Sequence, residues 1–220
     1  MEEKLASTDD IQVNSFNIKP DGSVETIVAE AALGELKDQV SDEDVKKLQE
    51  EMTAEVERLE DKFTIVDAEI AENIEVSDIT EAEARIFMEE DFDDLAAFAE
   101  IKEGLGLSAS QLGIPKKYFI ARDMKDETNN YKVYFNPKYF MNGSTRVKFK
   151  EGCLTYPGEF KDVKRWKNIT LHWWAFDNKG KWTKYKKNMN GLNSIILQHE
   201  CDHCAAFSGG TNKPRTIFSR

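Results

Sequence analysis

Near its C-terminal end the chain reads Gln198-His199-Glu200-Cys201-Asp202-His203, and no other stretch limits its fold so strongly. Two histidines four apart project from one face of a helix and can grip a single metal ion. Glu200, one step round from His199, is a carboxylate within reach of a water at that ion. The residues before it support the helix. Leu192, Ile195, Ile196 and His199 fall at i, i+3, i+4 and i+7, a single stripe of helical period, and Asn190 is the expected N-cap. A His-Glu-x-x-His string also arises by chance in unrelated helices, so its meaning depends on the rest of the chain.

With 220 residues the chain can bury a sizeable core as one elaborated domain or two small ones. No apolar run has membrane length, and the charged N-terminus is neither a signal peptide nor an Arg-rich transit peptide; the expected location is the cytoplasm. Three cysteines, Cys153, Cys201 and Cys204, imply no disulfide framework and read as ligands or small buried residues. Charge is unevenly distributed. Residues 1–100 hold 31 acidic against 8 basic side chains, leaving 10 acidic and 22 basic in residues 101–220. Such halves either compensate each other within the fold or leave a basic face for a partner. Compensation is the favoured reading, because no nucleic-acid motif accompanies the basic residues.

Along the chain, Ile11–Ile18 and Val24–Val28 flank a Pro20-Asp21-Gly22 turn signal, as in a hairpin. Ser41 opens an expected helix to about Asp61, with Leu48, Met52, Val56 and Leu59 as a narrow apolar stripe that suits docking on the domain or a partner. Residues 63–76 read as a strand-like connection. Asp78 with Glu81 resembles a capping box for a helix running towards Ile101. Strands are expected at 118–121, 132–136, 147–149 and 169–176, with 181–185 returning beside the last of these. Helix, strands with short turns, then the histidine helix makes an α+β fold whose sheets are antiparallel. The acidic residues 1–77 read as an N-terminal extension and 78–220 as the main domain.

Two further stretches carry chemistry. Gly104-Leu105-Gly106-Leu107-Ser108-Ala109-Ser110-Gln111-Leu112-Gly113 lets backbone approach a ligand closely and offers the Gln111 amide as a donor. It is no dinucleotide fingerprint, since no strand leads in and the third glycine is misplaced. Glu151-Gly152-Cys153-Leu154-Thr155-Tyr156-Pro157-Gly158 presents a thiol among turn residues. Cys153 with His199 and His203 would give three protein ligands and leave one position open, as catalytic metal sites require.

Taken together and in this order, the three stretches resemble the motifs of the peptide deformylase family: Gly-x-Gly-x-Ala-Ala-x-Gln, Glu-Gly-Cys-Leu-Ser and Gln-His-Glu-x-Asp-His. Asn136-Pro137, Val163 and Arg165 are weaker matches between them, and the resemblance covers about 78–220. It implies a hydrolase that takes the N-formyl group from the formyl-methionine of nascent peptides and releases formate. By motif position Cys153, His199 and His203 hold one divalent metal ion, ferrous iron, with nickel, cobalt or zinc able to substitute. Glu200 is then general base and acid for the attacking water. The Gln111 amide and the Leu154 backbone N–H stabilise the oxyanion, and Leu105, Gly106, Leu192, Ile195 and Ile196 form the methionine pocket. The implied partners are nascent formyl-methionyl peptides and, transiently, the ribosome, with no membrane.

Departures from the pattern are Ser108 for the first alanine, Thr155 for serine, and Cys204-Ala205-Ala206 where Leu-x-Gly is usual. The short run of chain after His203 resembles bacteriophage members of the family. Asp202 is expected to bond within the domain, to Arg165, and His172 to lie on a strand surface. Two other readings share the histidine motif. A His-Glu-x-x-His zinc peptidase needs a third ligand downstream, and no Asp, Glu or His follows His203. An inactive or repurposed homologue would keep the metal fold as a binding module.

Overall fold

The computed structural model describes residues 17–18, 24–25, 41–125, 130–205 and 214–218. Two short strands, β1 (Asn17–Ile18) and β2 (Val24–Glu25), pair antiparallel; the turn expected at 20–22 lies outside the described residues. Helix α1 (Asp42–Lys62) starts where expected, with the Ser41 hydroxyl accepting the Asp44 N–H. Its narrow apolar stripe docks on the domain: Val56, Leu59 and, at its end, Phe63 are buried in one cluster with Leu95, Phe98 and Ile120. Arg58 and Lys62 on its flank pair with Asp94, and Lys62 also reaches Asp91.

Residues 63–76 are not strand-like. They hold a short helix, α2 (Ala68–Asn73), whose Ala71 is completely buried. The apolar spacing Ile65, Val66, Ile70 suits either period over so short a run. The capping box lies two residues later than expected: Thr80 and Glu83 exchange both bonds at the start of α3 (Glu81–Glu90). The helix expected to run unbroken to Ile101 breaks at Asp91, after which α4 (Phe92–Ile101) continues. That break lets Phe87 and Leu95, on two differently directed helices, enter the same core.

The rest is antiparallel sheet and one helix. Strands β3 (Gly106–Ser108), β4 (Tyr118–Arg122), β5 (Tyr131–Met141), β8 (Asn168–Phe176) and β9 (Trp182–Asn190) form a five-stranded sheet in that order. β6 (Arg146–Cys153) and β7 (Tyr156–Trp166) form a separate two-stranded hairpin. β7 has no counterpart in the sequence reading, because Pro157, Gly158 and its many charges mask its alternation. A register shift between Phe135 and Lys138 brings Asn136 to φ 46, a conformation asparagine tolerates. Its side-chain amide clasps both backbone groups of Ile79 at 2.8 Å, tying the start of α3 to the sheet.

Helix α5 (Gly191–His203) lies on the face of the sheet that carries Phe119, Tyr134, Ile169 and Leu171, with Ile196, Leu197 and Cys201 as its buried contacts. Asn190 precedes it but makes no side-chain cap; its Oδ1 accepts from Lys125 Nζ instead. Gln198 fixes the helix against β7, accepting the Trp166 N–H at 3.0 Å and donating to the Trp166 carbonyl at 2.8 Å. Among the described residues no helix is long and apolar enough to cross a membrane.

Candidate metal centre

Cys153 ends β6, where the hairpin irregularity between Gly152 and Cys153 turns its sulfur towards α5. His199 and His203 meet it from one face of that helix. The Cys153 Sγ and His203 Nε2 are 3.3 Å apart, as are the two imidazole Nε2 atoms. Ligand atoms of all three residues lie within 4.8 Å of one another. Among the described residues this is a convergent set of one soft and two borderline donors, three rather than the four that close a structural site.

Surrounding groups hold these donors in place. His199 Nδ1 donates to Glu151 Oε2 at 2.9 Å, so its Nε2 is the atom turned to the centre. Arg165, nearly fully buried, donates two bonds to Glu151, at 2.7 and 2.6 Å, and another to Asp202. The expected Arg165–Asp202 contact is therefore present, and Glu151 is its second partner. Burial pushes the Glu151 carboxyl up, but Arg165 and His199 outweigh it and hold the group at about 2. Burial likewise opposes charge on Cys153 and His199. The charge of His203 and bonds from both histidines prevail at the thiol and hold it at about 4, while bonds to Cys153 and Glu151 prevail at His199 and hold the imidazole at about 10. Without metal the pair is a thiolate facing an imidazolium, preformed for a cation in charge but carrying one proton too many.

Glu200 lies beside the centre. Burial raises its carboxyl above the ordinary range, opposed by the two histidines and by a bond from Ser108 Oγ to Oε2 at 2.8 Å. Gly106 explains the need for glycine on β3: a Cβ there would stand 2.6 Å from Glu200 Oε1. The Gln111 side chain has a fixed orientation. Its Oε1 accepts the Ser108 N–H at 3.0 Å, which directs its NH₂ to Thr155 Oγ1 at 3.1 Å and towards Cys153 Sγ at 3.7 Å.

Leu105, Gly106, Gln111, Leu154, Leu192, Ile195, Ile196, His199 and Glu200 line one cavity of about 580 Å³ that also reaches Cys153. Every residue singled out for the pocket and for oxyanion stabilisation thus borders the same space. Cys201 and Cys204 are fully buried behind it, where burial pushes both thiols up. His172 lies on β8 against the ring of Phe140.

Several supporting contacts have little or no signal in the sequence. Glu151 was legible only as part of a motif, although its place two residues before Cys153 on a strand puts both on one face. Ser108 reads as a mild replacement for alanine, yet it bonds Glu200. Behind the hairpin, Ile217 packs with Cys153, Val163 and Tyr156, while Tyr156 and Thr216 both donate to Glu72. No local pattern announces that last contact, because its partners are 144 residues apart.

A histidine helix and a cysteine hairpin set into an antiparallel α+β fold define the class: an α+β protein with a candidate Cys-His-His metal site. The profile of the polypeptide deformylase family matches residues 35–208, most of the chain. The chain belongs to that family. Peptide deformylase from Karelsulcia muelleri (strain GWSS) is 38% identical over 107 residues, 46% of this chain and 52% of the relative. That of Stutzerimonas stutzeri (strain A1501) is 31% identical over 100 residues, 46% and 56% respectively. The matched segment thus spans little more than half the length of these curated relatives. Among solved structures, class I type b peptide deformylase from Acinetobacter baumannii superposes with a TM-score of 0.59 at 20% identity, covering 72% of this chain and 98% of that one. A probable peptide deformylase from Synechococcus phage S-SSM7 gives 0.51 at 27% identity, covering 64% and 93%.

Proposed function

We propose that this chain removes the N-formyl group from the formyl-methionine of nascent peptides. The observation that carries the reading is the Glu200 carboxylate, buried beside the Cys153–His199–His203 donors at the wall of an apolar cavity. A divalent ion held by those three residues supplies Lewis acidity and makes water a nucleophile near neutral pH. We assign that ion as ferrous iron, with zinc, nickel or cobalt as substitutes; a thiolate with two imidazoles suits all of these.

Glu200 accepts a proton from the attacking water as its oxygen bonds to the formyl carbon. The Gln111 NH₂ and the Leu154 backbone N–H donate to the oxygen that becomes anionic, each worth about 10²–10³ in rate. Glu200 then delivers its proton to the departing nitrogen as the C–N bond breaks, giving formate and a free amine. A carboxyl raised by burial suits this double duty, since it returns the proton more readily than an ordinary one. Leu105, Leu192, Ile195 and Ile196 receive the methionine side chain, and Gly106 leaves room beside it. Residues 78–220 are the catalytic unit in this reading and 1–77 an N-terminal extension. In this reading the chain is a bacteriophage-type member acting in the host cytoplasm, in transient contact with the ribosome; likeness to the phage protein supports the first of these alone.

The test is formate release from a formyl-Met-Ala-Ser peptide by protein loaded anaerobically with Fe(II) or Ni(II), beside Glu200→Gln. Turnover in the wild type, with at least 10²-fold loss and unchanged metal content in the variant, supports the assignment. No turnover from fully loaded wild type would mean a repurposed scaffold, and full turnover in Glu200→Gln would refute the general base.

A further inference from the structure

Charge compensation is real but incomplete. Acidic residues of α1, α3, α4 and the segment before α3 pair with Arg58, Lys62, Lys102, Lys116, Lys117 and Arg122, the last four being the first basic residues of the positive half. Beyond them, among the described residues, the β6–β7 hairpin has a face with little such cover. Strand alternation turns Val163 and Arg165 inward, and on the opposite, exposed face it aligns Arg146, Lys148 and Lys150 with Trp166, Lys164 and Asp162. Asp162 is the one acidic side chain among these and is held by Lys148 at 2.7 Å.

Two aromatic rings are set among these cations. The Arg146 guanidinium lies 4.3 Å from the Trp166 ring centre. Lys150 Nζ is 5.8 Å from that of Phe160, which is 64% exposed. Alongside is a second cavity, about 390 Å³, lined by Arg146, Lys164 and Arg215 against a single carboxylate, Asp162, with Trp166 at its wall. An isolated lysine row is ordinary solvated surface. A row at the two-residue strand spacing of about 7 Å, ending at an exposed ring and flanking a cationic cavity, matches a sugar-phosphate backbone with unstacked bases.

We propose that this hairpin face docks single-stranded RNA, with Arg146, Lys150 and Lys164 on phosphates and Phe160 as a stacking platform. Duplex nucleic acid fits less well, because its bases are unavailable to the ring. The choice of RNA over DNA rests on the nascent-peptide reading above; the surface itself does not. Phe160 also borders the substrate cavity, so a bound strand would lie beside the path of the incoming peptide.

The test uses the full chain and a short fluorescent single-stranded RNA, with anisotropy read across a salt series. Three cations engaging phosphates give a log–log salt slope of about −2. Lys150→Gln/Lys164→Gln should flatten that slope by about 1.4. Phe160→Ala should weaken binding about tenfold at unchanged slope. Absence of binding at low salt, or variants that bind as the wild type does, would overturn the proposal. Tighter binding of a polyglutamate peptide would overturn it in favour of an acidic protein segment, and equal binding of the matching DNA would overturn the commitment to RNA. Binding is read without turnover, so this proposal and the assigned reaction fail separately.

Discussion

Glu151 Oε2 accepts the Nδ1–H of His199 at 2.9 Å, and the carboxylate that does so is itself pinned twice by Arg165. The geometry of the metal-facing nitrogen is therefore set by a strand residue two positions before the cysteine ligand. Replacing Glu151 by Gln keeps the size but removes the charge that orients His199 and neutralises Arg165. Orienting partners of this kind are typically worth 10–100-fold in metal affinity. The Glu151→Gln variant should lose metal to a chelator by about that factor faster or at lower chelator concentration. Retention equal to wild type would show that helix packing alone fixes the histidine.

Proton linkage gives a second prediction. With Cys153 held at about 4 and His199 at about 10, the metal-free site at pH 7 holds a thiolate and a protonated imidazole. A metal ion requires neutral His199, so binding expels its proton. Because the His199 value is raised, that cost is present below about pH 10 and vanishes above it. Apparent affinity should therefore still rise with pH between about 8 and 9, by roughly tenfold per unit. An ordinary imidazole, near 6.5, would no longer contribute there. Calorimetry in buffers of different ionisation enthalpy reads the released proton directly, and no release at pH 8.5 would contradict the pairing.

Gly106 separates space from flexibility. It has no need of a left-handed backbone, yet a Cβ at this position would stand 2.6 Å from Glu200 Oε1 and 2.7 Å from its Cδ. Both groups are buried, so the carboxylate must move. A displacement of about 1 Å in a positioned group costs about 10² in rate. Gly106→Ala should therefore lose turnover by about that factor while binding the same amount of metal, because Cys153, His199 and His203 are untouched. Metal loss in step with activity would instead mean that β3 supports the whole centre.

Most of this site was legible because its chemistry is carried by close spacing. His199, Glu200 and His203 share one helical turn, and Cys153 and Gln111 each sit in a short run that declares itself. The antiparallel sheet was legible for β4, β5, β8 and β9, whose apolar residues alternate or run together. β7 was not, since a hairpin with one exposed basic face and only Val163 and Arg165 turned inward has almost no hydrophobic period. The capping box was displaced by two residues because Asp78 and Thr80 both precede a glutamate by three, and only packing selects the second. The contacts of Glu151 with Arg165, and of Glu72 with Thr216, depend on tertiary pairing that no window of sequence contains.

Those tail contacts lead to a last prediction. Ile217 is 1% exposed and packs with Cys153 and Val163, while the Arg215 N–H bonds the Asp202 carbonyl at 2.8 Å. Asp202 in turn receives Arg165, so residues 214–218 brace the cysteine hairpin and the histidine helix together. Truncating a buried isoleucine to alanine costs about 2–5 kcal/mol, the upper end when the gap cannot close. Here the gap would open directly behind a ligand. Ile217→Ala should lower unfolding stability by about 2–3 kcal/mol and release metal earlier in a denaturant series than the five-stranded sheet loses its tryptophan signal. Trp173, Trp174 and Trp182 lie in that sheet, so in a Trp166→Phe background, which silences the one tryptophan of the hairpin, they provide an independent reading. Simultaneous loss of metal and fluorescence would mean that the tail supports the whole domain. Metal loss first would place its effect at the centre, where the Ile217 side chain packs behind the cysteine strand.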